Sequence, residues 1–335
     1  MGEMGLFGLP FPEQYGGMDG DYFVLCLAME ELARVDQSVA ITLEAACSFG
    51  AMPVLRFATE SQKQHWLPQL SSDRAHGAFG LTESGAGSDA GGVRTTAKLE
   101  DGQWVINGFQ SFITNSVSDL TRLVTLAAVT GGDVDGRKGI SSILDEVPTP
   151  GLIVEPVYDK IDWHASDTHP LSFSDLRVPE QNLLGERNHG YANFLHILDE
   201  RRIAIAALAV GVARGCVDES VKYANELGNA MSRNQAIAFK IAEMEMRTHT
   251  ARCTYYDAAA RMLSGRPFKK QAAKAKLVAS NAAMESALDA RQIHGGYGFM
   301  KECPLARHHQ DSKILEIGEE TSEVQKVLIA RMMGV

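Results

Sequence analysis

The chain has 335 residues, 45% hydrophobic and 22% charged, with a formal net charge of −10. That balance excludes a disordered or collagen-like chain, and acidity without a basic block excludes a grip on phosphate backbones, so no nucleic-acid partner is expected. The longest charge-free apolar runs, residues 45–55 and 203–213, are 11 residues each, against about 20 for a bilayer span, so no membrane partner is expected. Cys26, Cys47, Cys216, Cys253 and Cys303 are scattered, with no C-x-x-C pair. This predicts reduced thiols and, with no secretory or transit segment expected, a cytoplasmic protein.

Residues 20–75 read as helices. Asp21 precedes Phe23, Val24, Leu27, Ala28 and Leu32, which share one helical face. A second helix is predicted over residues 39–57 and a third over 61–70. From His76 the rhythm becomes that of short strands. Residues 93–99 and 104–113 flank Asp101-Gly102, a hairpin turn signal. Residues 123–129, 140–144, 152–157 and 171–178 are further strands, with turns at Gly131-Gly132-Asp133, Thr149-Pro150-Gly151 and Ser166-Asp167. Without β-α alternation, a doubly wound parallel sheet is not expected. After Gly190 the chain is helical over 191–227, 234–263, 267–293 and 304–317, as in an antiparallel bundle. The fold class is therefore α+β, divided as 1–75, 76–187 and 188–335.

Two segments have the chemistry of a binding surface. In Phe79-Gly80-Leu81-Thr82-Glu83-Ser84-Gly85-Ala86-Gly87-Ser88-Asp89, glycines and hydroxyls follow an apolar run. Such a loop offers backbone N–H groups and side-chain oxygens to a polar ring or a phosphate; the same composition also serves a plain strand-to-turn connection. In Ser111-Phe112-Ile113-Thr114-Asn115, Phe112 and Thr114 stand on one face of a strand. That face suits a planar ring, and suits core packing equally.

The first loop closely resembles the T-E-x-x-x-G-S-D signature of the acyl-CoA dehydrogenases. Asn107-Gly108 with Phe112-Ile113-Thr114-Asn115, Ser166-Asp167-Thr168, Arg177-Val178-Pro179, Arg202 to Ala207, Gln292-Ile293-His294-Gly295-Gly296-Tyr297-Gly298 and Ile317-Gly318-Glu319-Glu320-Thr321 continue the resemblance in order. The resemblance implies an N-terminal helical domain, a middle β-barrel-like domain and a C-terminal four-helix bundle, assembled as a homo-oligomer (dimer or tetramer) around FAD. It implies cofactor contacts at Phe79, Leu81, Thr82, Gly87, Ser88, Phe112, Thr114, Thr321 and Glu323, and at Gln292 and Gly296 toward the FAD of a neighbouring subunit. It places Ser88, Asp199, Arg202 and Glu320 near the substrate, an acyl-CoA or other acyl thioester, and Glu319 as the base. The implied reaction is α,β-dehydrogenation to the trans-2-enoyl thioester in fatty acid metabolism, with electrons passing to an electron-transferring flavoprotein.

That chemistry needs a base for an unactivated α-proton and a hydride acceptor beside the β-carbon. A flavin supplies the second; a carboxylate in a water-poor cleft supplies the first. Ser322 and Gln325 also form a capping-box pattern, which puts Glu319 and Glu320 just before a helix N-terminus, where any carboxylate is favoured.

The sequence departs from the family at four places. Glu320 replaces a usual glycine, where its charge is expected to repel Glu319 and to weaken FAD or acyl-CoA binding unless it turns to solvent. Arg201 stands where a small or neutral residue or an alternative glutamate base is usual, and Gln110 replaces a usual lysine. Residues 227–233 are about five residues shorter than the block expected to hold the FAD diphosphate, and the chain begins late relative to the family. These departures make a flavin-depleted, non-redox homologue with a structural or redirected role the second hypothesis, and a flavin oxidase or hydroxylase on another carrier the third. His308-His309, and His164 with His169, lack ligand spacing, so no metal is expected.

Overall fold

The computed structural model describes residues 1–335 except 73, 117, 135–136 and 227–230, and the side chains of 133, 134 and 137. The chain forms two compact units, one from residues 1–21, 42–159 and 166–198, the other from 22–41, 160–165 and 199–335.

The first unit is built on one eight-stranded sheet: β1 (His76–Gly80), β2 (Thr96–Glu100), β3 (Gln103–Thr114), β4 (Thr121–Val134), β5 (Arg137–Glu146), β6 (Leu152–Val154), β7 (Thr168–Pro179) and β8 (Leu183–Leu184). The hydrogen-bonded path runs β6-β7-β3-β2-β4-β5-β8, and β1 pairs β4 in parallel. The hairpin forms where its signal lies. Leu99 faces Trp104, and Asp101 and Gly102 both have positive φ, the combination a two-residue hairpin turn requires. Trp104, Ile106, Val124, Leu126, Ile143 and Phe173 fill the core beneath the sheet.

Two expectations are corrected here. Gly131-Gly132-Asp133 is no turn, because β4 continues through it and Gly131 pairs with Gly139. The strand expected over 152–157 ends at Val154, before Pro156, which has no N–H to donate to a ladder.

Residues 37–57 form one helical run of 21 residues, made of α2 (Gln37–Glu44), a π-helical stretch (Ala45–Ala51) and α3 (Met52–Phe57). Its length and composition would suit a membrane span, yet 78% of its apolar window is buried within the protein, as in a core helix. Gly50 in the π stretch lies against Gly77 of β1, and a Cβ on Gly50 would approach Gly77 to 2.9 Å. Only glycine fits on both sides. α4 (Glu60–Leu70) begins at a capping box between Thr59 and Gln62.

The second unit contains α1 (Tyr22–Ala33), α5 (Gly190–Glu226) from residue 199 on, α6 (Gln235–Leu263), α7 (Lys269–His294), α8 (Pro304–Ser312), α9 (Ile314–Ile317) and α10 (Ser322–Arg331). The helix expected over 304–317 is thus divided at Lys313. Residues 203–213 are wholly buried, which explains their uninterrupted apolar run. Glu30 of α1 is also buried: its carboxylate accepts from Arg214 Nη1 (2.8 Å), Arg252 Nη2 (2.7 Å) and the Tyr255 hydroxyl (2.5 Å).

Candidate active site

In the sheet unit, the chain leaves β1 as a loop tied to β3 by Ser111 N–H donating to Thr82 O at 2.8 Å. Glu83 folds back, and its carboxylate accepts from the backbone N–H of Arg94 at 2.9 Å and of Thr95 at 2.7 Å. Glu83 and Ala86 also exchange backbone hydrogen bonds, closing a tight turn. Ser84, Gly85, Gly87 and Ser88 are left exposed, and a Cβ on Gly85 or Gly87 would meet no atom within 4 Å.

Along β3, Ser111 and Ile113 point inward, Thr114 is half-buried, and Phe112 is 65% exposed. Phe112 has φ +60° where the β3–β7 register shifts, and its ring stacks on Tyr158 at 5.0 Å. An exposed aromatic face beside an open, hydroxyl-bearing loop fits a planar ring with polar edges, as an isoalloxazine has.

Phe79 departs from its expected role. Its ring is packed between Phe49 (4.3 Å, parallel) and Phe194 (4.4 Å), so only its backbone is left for a ligand. Gln110 is fully buried and donates to Ala127 O at 3.1 Å, taking the space beside Gly80. It is a packing residue under the loop.

In the bundle unit, Glu319 and Glu320 lie between α9 and α10, both with positive φ (+53° and +68°). Two successive non-glycine residues there cost about 1–3 kcal/mol each and persist only when their surroundings fix them. Here Lys276 Nζ donates to Glu320 O at 2.6 Å, and Gln325 Nε2 reaches the carbonyls of Glu319 (3.4 Å) and Glu320 (3.3 Å). The expected cap shifts by one residue: Thr321, not Ser322, accepts from Val324 N–H, and Gln325 holds the turn.

The expected repulsion between Glu319 and Glu320 gives way to two separate ion pairs. Arg201, 2% exposed, places Nη1 2.5 Å from Glu319 Oε2. Arg202 binds Glu320 through Nε at 3.0 Å and also Asp199, whose other oxygen lies 3.0 Å from Lys269 Nζ. Glu320 therefore neither turns to solvent nor stands as a bare charge. Burial pushes the Lys276 ammonium down to about 8, against the opposing pull of Glu319 and Glu320.

Reading the sequence alone missed Glu83 and Lys276. Lys276 carried a signal: it lies in register with Ala272, Ala279 and Ala283 on the buried stripe of α7.

Gln292 and Gly296 are exposed at the end of α7, next to a cavity of about 370 Å³ lined by Tyr223, Glu226, His294, Tyr297 and Met300 among others. Thr321 is half-buried as the cap, and Glu323 is exposed. The shortened block at 227–233 falls largely outside the described residues. Among the described residues, no three His, Cys, Asp or Glu side chains converge as metal ligands.

Sheet and bundle together are those of a flavoprotein dehydrogenase family. Residues 1–74, 78–176 and 188–334 match its N-terminal, middle and C-terminal domains, and the chain belongs to the acyl-CoA dehydrogenases. The probable acyl-CoA dehydrogenase YngJ of Bacillus subtilis (strain 168) is 46% identical over 336 residues, spanning 99% of this chain and 88% of the relative. Butyryl-CoA dehydrogenase from Megasphaera elsdenii superposes with a TM-score of 0.95 at 39% identity, over 100% of this chain and 89% of that one. An acyl-CoA dehydrogenase complexed with FAD from Bacillus anthracis gives 0.92 at 30% identity, over 99% and 59%.

Proposed function

We propose that this protein is an FAD-dependent acyl-CoA dehydrogenase that converts an acyl thioester to its trans-2-enoyl thioester. The observation that carries the reading is Glu319: a carboxylate largely withdrawn from water, presented from a turn whose backbone is pinned by Lys276, Gln325 and the Thr321 cap. A base fixed in this way removes the α-proton without first reorganising solvent. Bound FAD supplies the acceptor for the hydride that leaves the β-carbon. The loop at Leu81, Thr82, Gly87 and Ser88 and the face at Phe112 and Thr114 would hold its ring.

Asp199, Arg202 and Glu320 act on substrate indirectly, by shaping the base turn. An electron-transferring flavoprotein takes the electrons away. Gln292 and Gly296 serve the cofactor of a second copy, and exposed Tyr297 (67%) and Phe299 (79%) beside them give a homo-oligomeric interface apolar surface to bury. The free thiols fit a cytoplasmic setting.

The test is anaerobic addition of butyryl-CoA to the FAD-loaded protein, followed by visible absorbance. Native protein should bleach. Glu319→Gln should keep the flavin spectrum and bleach ~10²–10⁴-fold more slowly. A protein that takes up no FAD, or a mutant that bleaches at the native rate, overturns the reading.

A further inference from the structure

Strand β3 carries one side chain that the sheet throws outward at a cost in backbone strain. Between the Gln110–Leu171 and Ile113–His169 pairs, β3 advances three residues while β7 advances two, a bulge of one extra residue. Phe112 lies within it at φ +60°, a left-handed conformation that a bulky residue rarely adopts. Bulges re-aim side chains, and here Phe112 is left 65% exposed.

The ring so placed is supported by Tyr158. Beyond β6 the chain keeps to the side of β7: Glu155 N–H donates to Pro170 O at 3.0 Å, and Tyr158 N–H to Thr168 O at 3.3 Å. Thr168 in turn pairs with Thr114 of β3. The Tyr158 ring thereby meets Phe112, with centroids 5.0 Å apart and planes inclined by 29°. Aromatic pairs at this separation attract each other beyond the area they bury. As a device for stability the stack is poor, because Phe112 is mostly exposed and Tyr158 is only half-buried. What it supplies is orientation. It backs one side of an exposed ring and leaves the rest of that ring open.

We propose that Tyr158 is a positioning residue for the cofactor: its ring backs Phe112 and keeps the open side of Phe112 presented to the isoalloxazine. This rests on the reading of Phe112 as a flavin contact. The planar ring of Tyr158 does the work, and its hydroxyl has no part in it. An aliphatic side chain in its place offers no flat surface, and Phe112 is then free to turn about its two side-chain bonds. The effect falls on the flavin ring and leaves the adenine and diphosphate end of the cofactor untouched.

Two measurements test it. The first is titration of flavin-free protein with FAD and, separately, with ADP, which shares the adenine and diphosphate but has no flavin ring. Tyr158→Leu should weaken FAD ~2–10-fold, the range that one aromatic pair is worth, with ADP within about twofold of native. The visible circular dichroism of the bound flavin should change with it. Tyr158→Phe should match native protein in all three readings. Native FAD affinity and an unchanged flavin spectrum in Tyr158→Leu overturn the proposal. Equal losses for FAD and ADP overturn it too, since they mean a general loosening of the sheet, and so does a Tyr158→Phe variant as weak as Tyr158→Leu. The second measurement needs no cofactor: a double-mutant cycle of Phe112→Leu and Tyr158→Leu, read by melting temperature. The double change should lower the melting point by less than the two single losses together, and additive losses overturn the stack. Native protein that takes up no FAD would instead remove the flavin reading, while the melting cycle would still decide whether Tyr158 holds Phe112.

Discussion

The loop after β1 and the turn before α10 both present polar groups, and they are built in opposite ways. The first is glycine-rich and open, and one carboxylate from within it, Glu83, gathers two backbone N–H groups about a dozen residues ahead. The second has no glycine at its two left-handed positions and is closed in by side chains from three helices: Arg201 and Arg202 of α5, Lys276 of α7 and Gln325 of α10. A loop organised from within leaves its outer surface free for a large ligand. A turn organised from outside gives up that freedom and gains a fixed carboxylate.

Changing the outside supports should break the turn's function before its stability. Lys276→Met removes the donor to Glu320 O and also the cost of burying an ammonium. Turnover should fall ~10–100-fold, the worth of one charge-assisted hydrogen bond, while the melting temperature holds or rises. Steady-state rates and a thermal melt on the same preparation check both halves. On the loop, Glu83→Ala should release the N–H groups of Arg94 and Thr95 and splay the turn. FAD affinity should weaken ~10-fold with turnover at saturating FAD nearly kept, as read by fluorescence titration.

The smallest effect sharpens the contrast from a third carboxylate. Asp145 of β5 is fully buried, and burial pushes it up from 3.8 to about 7. A raised carboxyl stabilises the fold at acid pH, where both states hold the proton. That contribution is lost as pH rises from about 4 to 7, because the unfolded chain ionises first. Asp145→Asn should therefore melt a few degrees above native at pH 8 and no higher than native at pH 4. A pH-independent difference would mean that the charge plays no part.

Much of the fold was legible because its signals are local. The Asp101-Gly102 hairpin, the long helices α5 to α7 and the strand cores follow from turn chemistry and periodicity. Gly131-Gly132 misled because glycine pairs also occur inside ladders, as the Gly131–Gly139 pairing shows. The tight glycine- and hydroxyl-bearing loop after β1 was legible for the same local reason. The turn at Glu319 and Glu320 was only half so: its motif stood out, but nothing near Glu320 in sequence indicates that Arg202, 118 residues earlier, neutralises it. Phe79 failed in the same way, since its partners Phe49 and Phe194 come from distant segments.

Glu30 has a consequence for how the chain is made. Its carboxylate closes on the Tyr255 hydroxyl, 225 residues later. At ~5–20 residues per second, the ribosome needs roughly 10–45 s to cover that distance. Arg214 of α5 is made before the end of that interval, but Arg252 and Tyr255 of α6, which complete the enclosure of the carboxylate, come last. The contacts that bury Glu30 are therefore completed only after most of the chain has been made.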